Sequence, residues 1–253
     1  MNNPARPVEA ELRRIAEAGF DFVDLTFEPP VAWPADPERI RRVLGELGLG
    51  IVGHTAWYLP IASPFPELRR QALDLLVRML EGFAVVGAEV VNVHPDRGVR
   101  LLPLADVAAA NAETIAALVD EAESRGLRLM VENLNPPAGR VHELRPILDA
   151  VPRAGFHLDV GHANLGRDRD EPNRTRALLA AFGDRLAHVH VSDNLGVEDL
   201  HLPLGAGTVD WPDAVRALKE ARWDGTVTIE VFSANPAHVE TSRRLWLEWW
   251  AAG

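Results

Sequence analysis

The chain has 253 residues, no cysteine, 26 basic against 37 acidic side chains and a formal charge of −11. A chain of this length buries roughly 75% of its extended surface on folding, so core size sets no limit, and the absence of thiols excludes disulfides, cysteine nucleophiles and cysteine-bound zinc. The acidic balance argues against broad attraction to nucleic acid, and Lys219, the sole lysine, leaves imine chemistry one residue to rest on.

In chain order, the first segment is helical, "VEAELRRIAEAG", and only a short proline-bearing stretch opening "MNNP" precedes it. Seven short runs rich in β-branched residues follow: "FDFVDLTF", "LGIVGHTA", "EVVNVHP", "RLMVENL", "GFHLDVGH", "AHVHVSDN" and "GTVTIEVF". Between and around them lie eight helical stretches, the clearest being "PELRRQALDLLVRMLEGFAVVG" and "LADVAAANAETIAALVDEAESRG", with apolar residues recurring at three and four and a glycine near the stop. Strict alternation with near-continuous apolar strands predicts a parallel sheet covered by helices. No G-x-G-x-x-G opens any helix, which disfavours an open nucleotide-binding sheet. The expectation is an α/β fold, a single (β/α)8 TIM-type barrel domain over residues 1–253 with a shortened or missing first strand. No apolar run approaches the ~20 residues of a membrane span and the N-terminus lacks a signal-peptide core, so a cytoplasmic protein without a membrane partner is expected.

In such a barrel the chemistry gathers at the carboxyl ends of the strands. His54 ends "GIVGH", His94 ends "VVNVH", Glu132 ends "LMVE", Asp159 and His162 close "FHLDVGH", His190 sits late in "AHVHV", Asp199 and His201 lie in the loop after it, and Glu230 ends "TVTIE". These are five imidazoles and four carboxylates at the exits of six strands. A carboxylate closing an apolar strand is costly to bury without a cation or partner. Sulfur-free donors suit zinc, manganese, iron or cobalt alike, zinc being the ion expected ahead of manganese or iron; nine are too many for one ion but suit two or three, so one to three divalent ions per chain are expected. His157 and His188 lie deeper on the same strand faces and read as packed or supporting histidines. His142 and His238 open helical segments and read as surface positions.

The motifs "VNVHPD", "VENLNPP", "LDVGHANL", "VHVSDN", "DLHLPLGAG" and "TIEVF" resemble, in order and spacing, the xylose isomerase-like barrel superfamily, which includes endonuclease IV and many sugar isomerases and epimerases. The resemblance runs from about Gly19 to Phe232. Its endonuclease IV branch implies a three-metal phosphoester hydrolase. There His54 and His94 would hold one ion, Glu132 would bridge it to a second held by Asp159, His190 and Glu230, and His162, Asp199 and His201 would hold the third. That is the leading expectation, with abasic DNA or a smaller phosphorylated substrate. The alternative is a single-metal sugar or sugar-phosphate isomerase or epimerase. In it Glu132, Asp159, His190 and Glu230 hold the ion, Glu132 and Glu230 move the substrate proton, and His162 contacts the substrate.

Departures from the DNA-binding branch are visible as well. The segment "EPPVAWPADPE" is short and acidic. Trp57 and Tyr58 are expected to be buried or pocket-lining in preference to acting as a base-stack wedge. Arg97, Arg100, Arg140, Arg167 and Arg169 follow strand ends and are candidates for meeting phosphate. Near the C-terminus "RLWLEWW" carries Trp246, Trp249 and Trp250, read as packing against the barrel, with a subunit contact as the alternative.

Overall fold

The computed structural model describes residues 1–30, 33, 36–166 and 174–253. They divide into two compact units, the first being Met1–Val131 with Pro146–Ala154, the second Glu132–Arg145 with Gly155–Gly253.

In the first unit, helix α1 (Val8–Glu17) is followed by β1 (Phe22–Thr26), α2 (Pro37–Leu47), β2 (Gly50–His54), α3 (Pro66–Val86), β3 (Val90–Val93), α4 (Leu104–Glu123) and β4 (Arg128–Glu132), of which the last residue, Glu132, is counted with the second unit. The strands pair in parallel and in chain order, with Thr26 opposite His54 and Val93 opposite Val131. Helix starts and stops follow local chemistry. Asp36 caps α2 by accepting from Arg39 N, and Pro37 occupies its first position. Among the described residues no strand precedes α1, so the missing form of the first strand is the one found. Asn2 takes part of its place: its backbone N–H reaches the carbonyl of Asp24, and its side chain bonds Thr26 in both directions, at 2.7 Å and 3.3 Å.

In the second unit, β5 (Gly155–Asp159) leads directly into a five-residue helix, α6 (Val160–Asn164). Then come α7 (Arg174–Phe182), a 3-10 turn, β6 (Leu186–Val191), α8 (Trp211–Glu220), β7 (Val227–Ile229) and α9 (Ala237–Ala252). Helix α5 (Val141–Ala150) lies between β4 and β5 in the chain. Strands β5, β6 and β7 pair in parallel, with His157 opposite His188, Asp159 opposite His190 and His190 opposite Thr228. The short helix α6 corrects the sequence reading twice. It brings the described α-helices to nine, not eight, and it puts His162 on a helical turn rather than at a strand end. The cause is Asp159, whose Oδ1 accepts from His162 N at 2.6 Å and so caps a helix where the sequence suggested a continuing strand.

The tryptophans pack within this unit. Trp249 stacks flat on Trp211 with centroids 5.8 Å apart, Trp246 meets Trp211 edge-on at 6.3 Å, and Lys219 Nζ sits 5.4 Å from the Trp250 ring. No helix among the described residues is long and apolar enough to cross a membrane.

Candidate metal centre

Side chains alternate along a strand, so the register of the second unit sets candidate residues in layers. His157 and His188 form the deep layer, with Asp159 and His190 one step nearer the strand ends. Glu230 follows β7 by one residue and keeps the ladder going through its N–H to the carbonyl of Val191. Glu132 closes β4. The four side chains Glu132, Asp159, His190 and Glu230 are each 5% exposed or less.

Their donor atoms converge on Asp159. One three-residue group joins it to Glu132 and His162, another to His190 and Glu230, with donor atoms in each group within 4.8 Å of one another. His190 Nδ1 lies 3.0 Å from Glu230 Oε2 and 3.9 Å from Asp159 Oδ2. Donors about 2.1 Å from a four-coordinate ion are about 3.4 Å apart, and these spacings straddle that value. Asp159 Oδ2 is fully buried and accepts no hydrogen bond. Burial, with the neighbouring carboxylates of Glu132 and Glu230, pushes the Asp159 carboxyl up to about 6 against the pull of His162 and His190. A buried carboxylate oxygen without a hydrogen bond among imidazoles and carboxylates fits a divalent cation.

Asn133, which the sequence reading missed, fixes this group from behind. Its Nδ2 donates to the Asp159 carbonyl at 2.9 Å and its Oδ1 accepts from Asp159 N at 2.8 Å. Its carbonyl accepts from His162 Nδ1 at 2.9 Å, which leaves His162 Nε2 facing Asp199. The "EN" pair in "LMVEN" was its only signal.

A second cluster is formed by His162, Asp199 and His201. Asp199 Oδ2 is shared by His162 Nε2 at 2.8 Å and His201 Nε2 at 3.2 Å. Burial works against charge on each of the three, but mutual pairing outweighs it. Asp199 is held well below the usual carboxylate range, His201 is raised to about 9, and His162 is raised well above the usual imidazole range, chiefly by Asp159 and Asp199. The trio is thus one carboxylate shared by two imidazoles of raised pKa, an ion-pair network whose 2.8 Å and 3.2 Å contacts are shorter than the about 3.4 Å edge of a tetrahedral site. His201 Nδ1 bonds the Glu230 carbonyl at 3.1 Å, and its ring stacks on Phe232 at 4.2 Å. It holds φ 43, the left-handed region that a non-glycine residue adopts at a cost. Phe232 itself is 60% exposed, an apolar surface beside the trio that no sequence pattern marked.

The loop carrying Asp199 and His201 is tied down by Asp193, which is fully buried. It accepts from Asn194 N, Gly205 N, Val209 N and Trp211 Nε1 at 2.9 to 3.2 Å, and its backbone bridges Leu202 in both directions. The segment "PLGAG" returns the chain against this carboxylate: a Cβ on Gly207 would stand 2.2 Å from both Asp193 Oδ1 and the Asn194 carbonyl.

The first unit holds His54 and His94, rings 4.9 Å apart. Asn92 lies between them. Its Oδ1 accepts from Thr55 N at 2.7 Å, which orients its Nδ2 toward His54 Nδ1 and His94 Nε2 at 3.4 Å and 3.3 Å. His54 Nδ1 is also 3.5 Å from Asp24 Oδ1. Those two imidazole nitrogens already accept from an amide. Trp57 and Tyr58, expected to be buried or pocket-lining, are instead 59% and 50% exposed, packed edge-on against each other in the loop after β2. Arg97 and Arg100 are exposed, and Arg140 in the second unit pairs with Glu143 at 3.4 Å. Arg167 and Arg169 lie outside the described residues. His142 and His238 are exposed, as expected, and His157 and His188 are fully buried.

Comparison with known proteins adds three findings. A family model described as a xylose isomerase-like TIM barrel matches residues 12–250. L-ribulose 3-epimerase of Methylomonas sp. is 29% identical over 93% of this chain and 82% of its own length, and a protein named probable endonuclease 4 from Nitratidesulfovibrio vulgaris is 26% identical over 93% and 88%. Among solved structures, a D-tagatose 3-epimerase-like protein superposes with a TM-score of 0.86 at 24% identity, over 98% of this chain and 94% of that one. The expectation of an enzyme of the isomerase–epimerase or hydrolase kind is met by relatives of both kinds, and the barrel expectation by the family and its fold. The chain belongs to the xylose isomerase-like TIM-barrel family.

Proposed function

We propose that this protein is a sugar or sugar-phosphate epimerase or isomerase that works with one divalent ion held by Glu132, Asp159, His190 and Glu230. The observation that carries the reading is Asp159 Oδ2, fully buried, without a hydrogen bond, and flanked by the other three donors. Similarity to an L-ribulose 3-epimerase supports it. This proposal reverses the order of the two readings drawn from the sequence, because Asp199 of the outer trio is already paired with both imidazoles while Asp159 Oδ2 of the inner group accepts no hydrogen bond.

The ion, when bound, supplies a Lewis acid that polarises a carbonyl and its neighbouring hydroxyl and so acidifies the hydrogen on the carbon between them. The chain's own groups move the proton. The carboxylate of one glutamate, Glu132 or Glu230, takes the hydrogen from carbon; the C–H electron pair shifts toward the carbonyl, and an O–H bond forms on the glutamate. The other glutamate, on the opposite face, returns a proton to the same carbon, which inverts that centre. Return to the neighbouring carbon, with the hydroxyl proton passing to the former carbonyl oxygen, completes an isomerisation instead. His162, presented by α6, would reach a substrate oxygen through Nε2 by giving up its contact with Asp199, while the tie of Nδ1 to the Asn133 carbonyl holds the ring in one orientation.

The test is proton exchange. Ketoses incubated with manganese-loaded protein in D2O should take up deuterium at the carbon beside the carbonyl, and Glu230→Gln should slow that exchange by at least about a hundredfold. Absence of exchange from every ketose and ketose phosphate offered would refute the epimerase. A second reading, the three-metal phosphoester hydrolase, rests on the His162, Asp199 and His201 group and on likeness to a probable endonuclease 4; cleavage of abasic DNA with two or three ions bound would favour it.

A further inference from the structure

Beneath the inner group, β5 carries an imidazole whose surroundings are those of a buried aliphatic residue. His157 is fully buried, and neither ring nitrogen makes a well-aligned hydrogen bond. Its Nδ1 lies 3.2 Å from Glu132 Oε2. Its ring stands edge-on to His190, centroids 4.1 Å apart at 83°, and His188 backs it at 5.0 Å. His188 cannot shift to serve a ligand, because both of its nitrogens bond threonine hydroxyls, Thr226 at 2.7 Å and Thr228 at 2.9 Å. His157 and His188 are therefore a floor, locked at one side by the threonines and in contact with the two metal candidates His190 and Glu132 at the other.

We propose that His157 is a positioning residue that fixes Glu132 with Oε2 turned to the imidazole and Oε1 toward the pocket, so that one defined oxygen meets the ion and substrate. This rests on the epimerase reading. Burying an imidazole without good hydrogen bonds destabilises the fold, and a leucine would fill the space more favourably, so the nitrogen needs a task. The two oxygens of Glu132 are already distinct: Oε2 faces His157, and Oε1 lies 3.4 Å from His162 Nδ1. A carboxylate that both holds a cation and moves a proton loses efficiency if it swings or chelates through both oxygens. A supporting N–H on one oxygen prevents that. The contact is loose without the ion and tightens when Glu132 is drawn into place, as catalytic hydrogen bonds commonly do.

The test uses the full chain loaded with cobalt(II), whose visible absorption reports the donor arrangement independently of turnover. His157→Phe keeps a ring and removes the N–H; His157→Asn returns an N–H near the Nδ1 position; His157→Gln offers one near Nε2. The expected result is an altered cobalt spectrum and a kcat for deuterium exchange about 10- to 100-fold lower in His157→Phe, with KM little changed and the spectrum recovered in His157→Asn. An unchanged spectrum in His157→Phe overturns the proposal, as does a loss that His157→Asn fails to mend. If His157→Phe does not fold, the Asn and Gln variants decide: the proposal requires a wild-type spectrum in the first and a shifted one in the second, and equal spectra overturn it. Wild-type protein inert toward every ketose refutes the epimerase reading alone, since the spectra still judge the role of His157.

Discussion

Asp159 divides its carboxylate between two tasks. Oδ1 caps α6 through His162 N, and Oδ2 is the buried oxygen left without a hydrogen bond. Asp159→Asn keeps the cap acceptor and removes the charge, so the variant should fold, lose the ion on dialysis and lose more activity than the about 10- to 100-fold that an outer partner contributes; metal analysis and exchange kinetics check both. A proton and a cation compete for the same oxygen. Because the carboxyl is pushed up to about 6 in the metal-free protein, metal affinity should be level above that pH and fall about tenfold per pH unit below it. Each ion bound at pH 5 should release about one proton from this group, readable by calorimetry in buffers of different ionisation enthalpy. Proton release that does not depend on pH across this range would contradict the assignment. Residue chemistry was legible where strands end in charge, as at Glu132 and Glu230. It was not legible at Asn133, whose role depends on backbone groups that no residue pattern displays.

At the scale of elements, the seven strands stood out because each is an apolar run bounded by turn residues, and the observed bounds fall within the runs read from the sequence except at β6, which starts one residue earlier, at Leu186. Helix α6 did not, since five residues are too short to show a helical period and its cap, Asp159, reads equally well as the last residue of a strand. The loop from Asp193 to Trp211 was legible as a carrier of Asp199 and His201, but its anchor was not, because four donors converge on Asp193 only after folding. Gly207→Ala tests that anchor. Its Cβ would meet two oxygens at 2.2 Å, so the strain should destabilise the protein by about 1–3 kcal/mol, lowering Tm by about 2–4 °C per kcal/mol. It should also loosen the His162–Asp199–His201 trio more than the inner group. The readout is therefore a larger change in KM than in metal content, and equal damage to both would argue against an independent loop.

For the whole molecule, charge and ligand count bear on the same choice. A net −11 repels a polyanion, and an abasic duplex titrated at physiological ionic strength should show no anisotropy change up to about 100 μM, the weak end of ordinary non-specific binding. Nine candidate donors suggested several ions when counted along the sequence. Folded, seven of them lie in the second unit as a group with an unsatisfied oxygen and a trio whose carboxylate is already shared by two imidazoles, while His54 and His94 share an amide donor in the first. That distinction depends on geometry and could not be drawn from residue types alone. Metal stoichiometry by mass spectrometry on chelator-free protein examines it most directly. The single-ion epimerase predicts one divalent ion per chain, lost in Asp159→Asn and kept in the Asp199→Ala, His201→Ala double variant. Two or three ions per chain, falling when Asp199 and His201 are replaced, would contradict it.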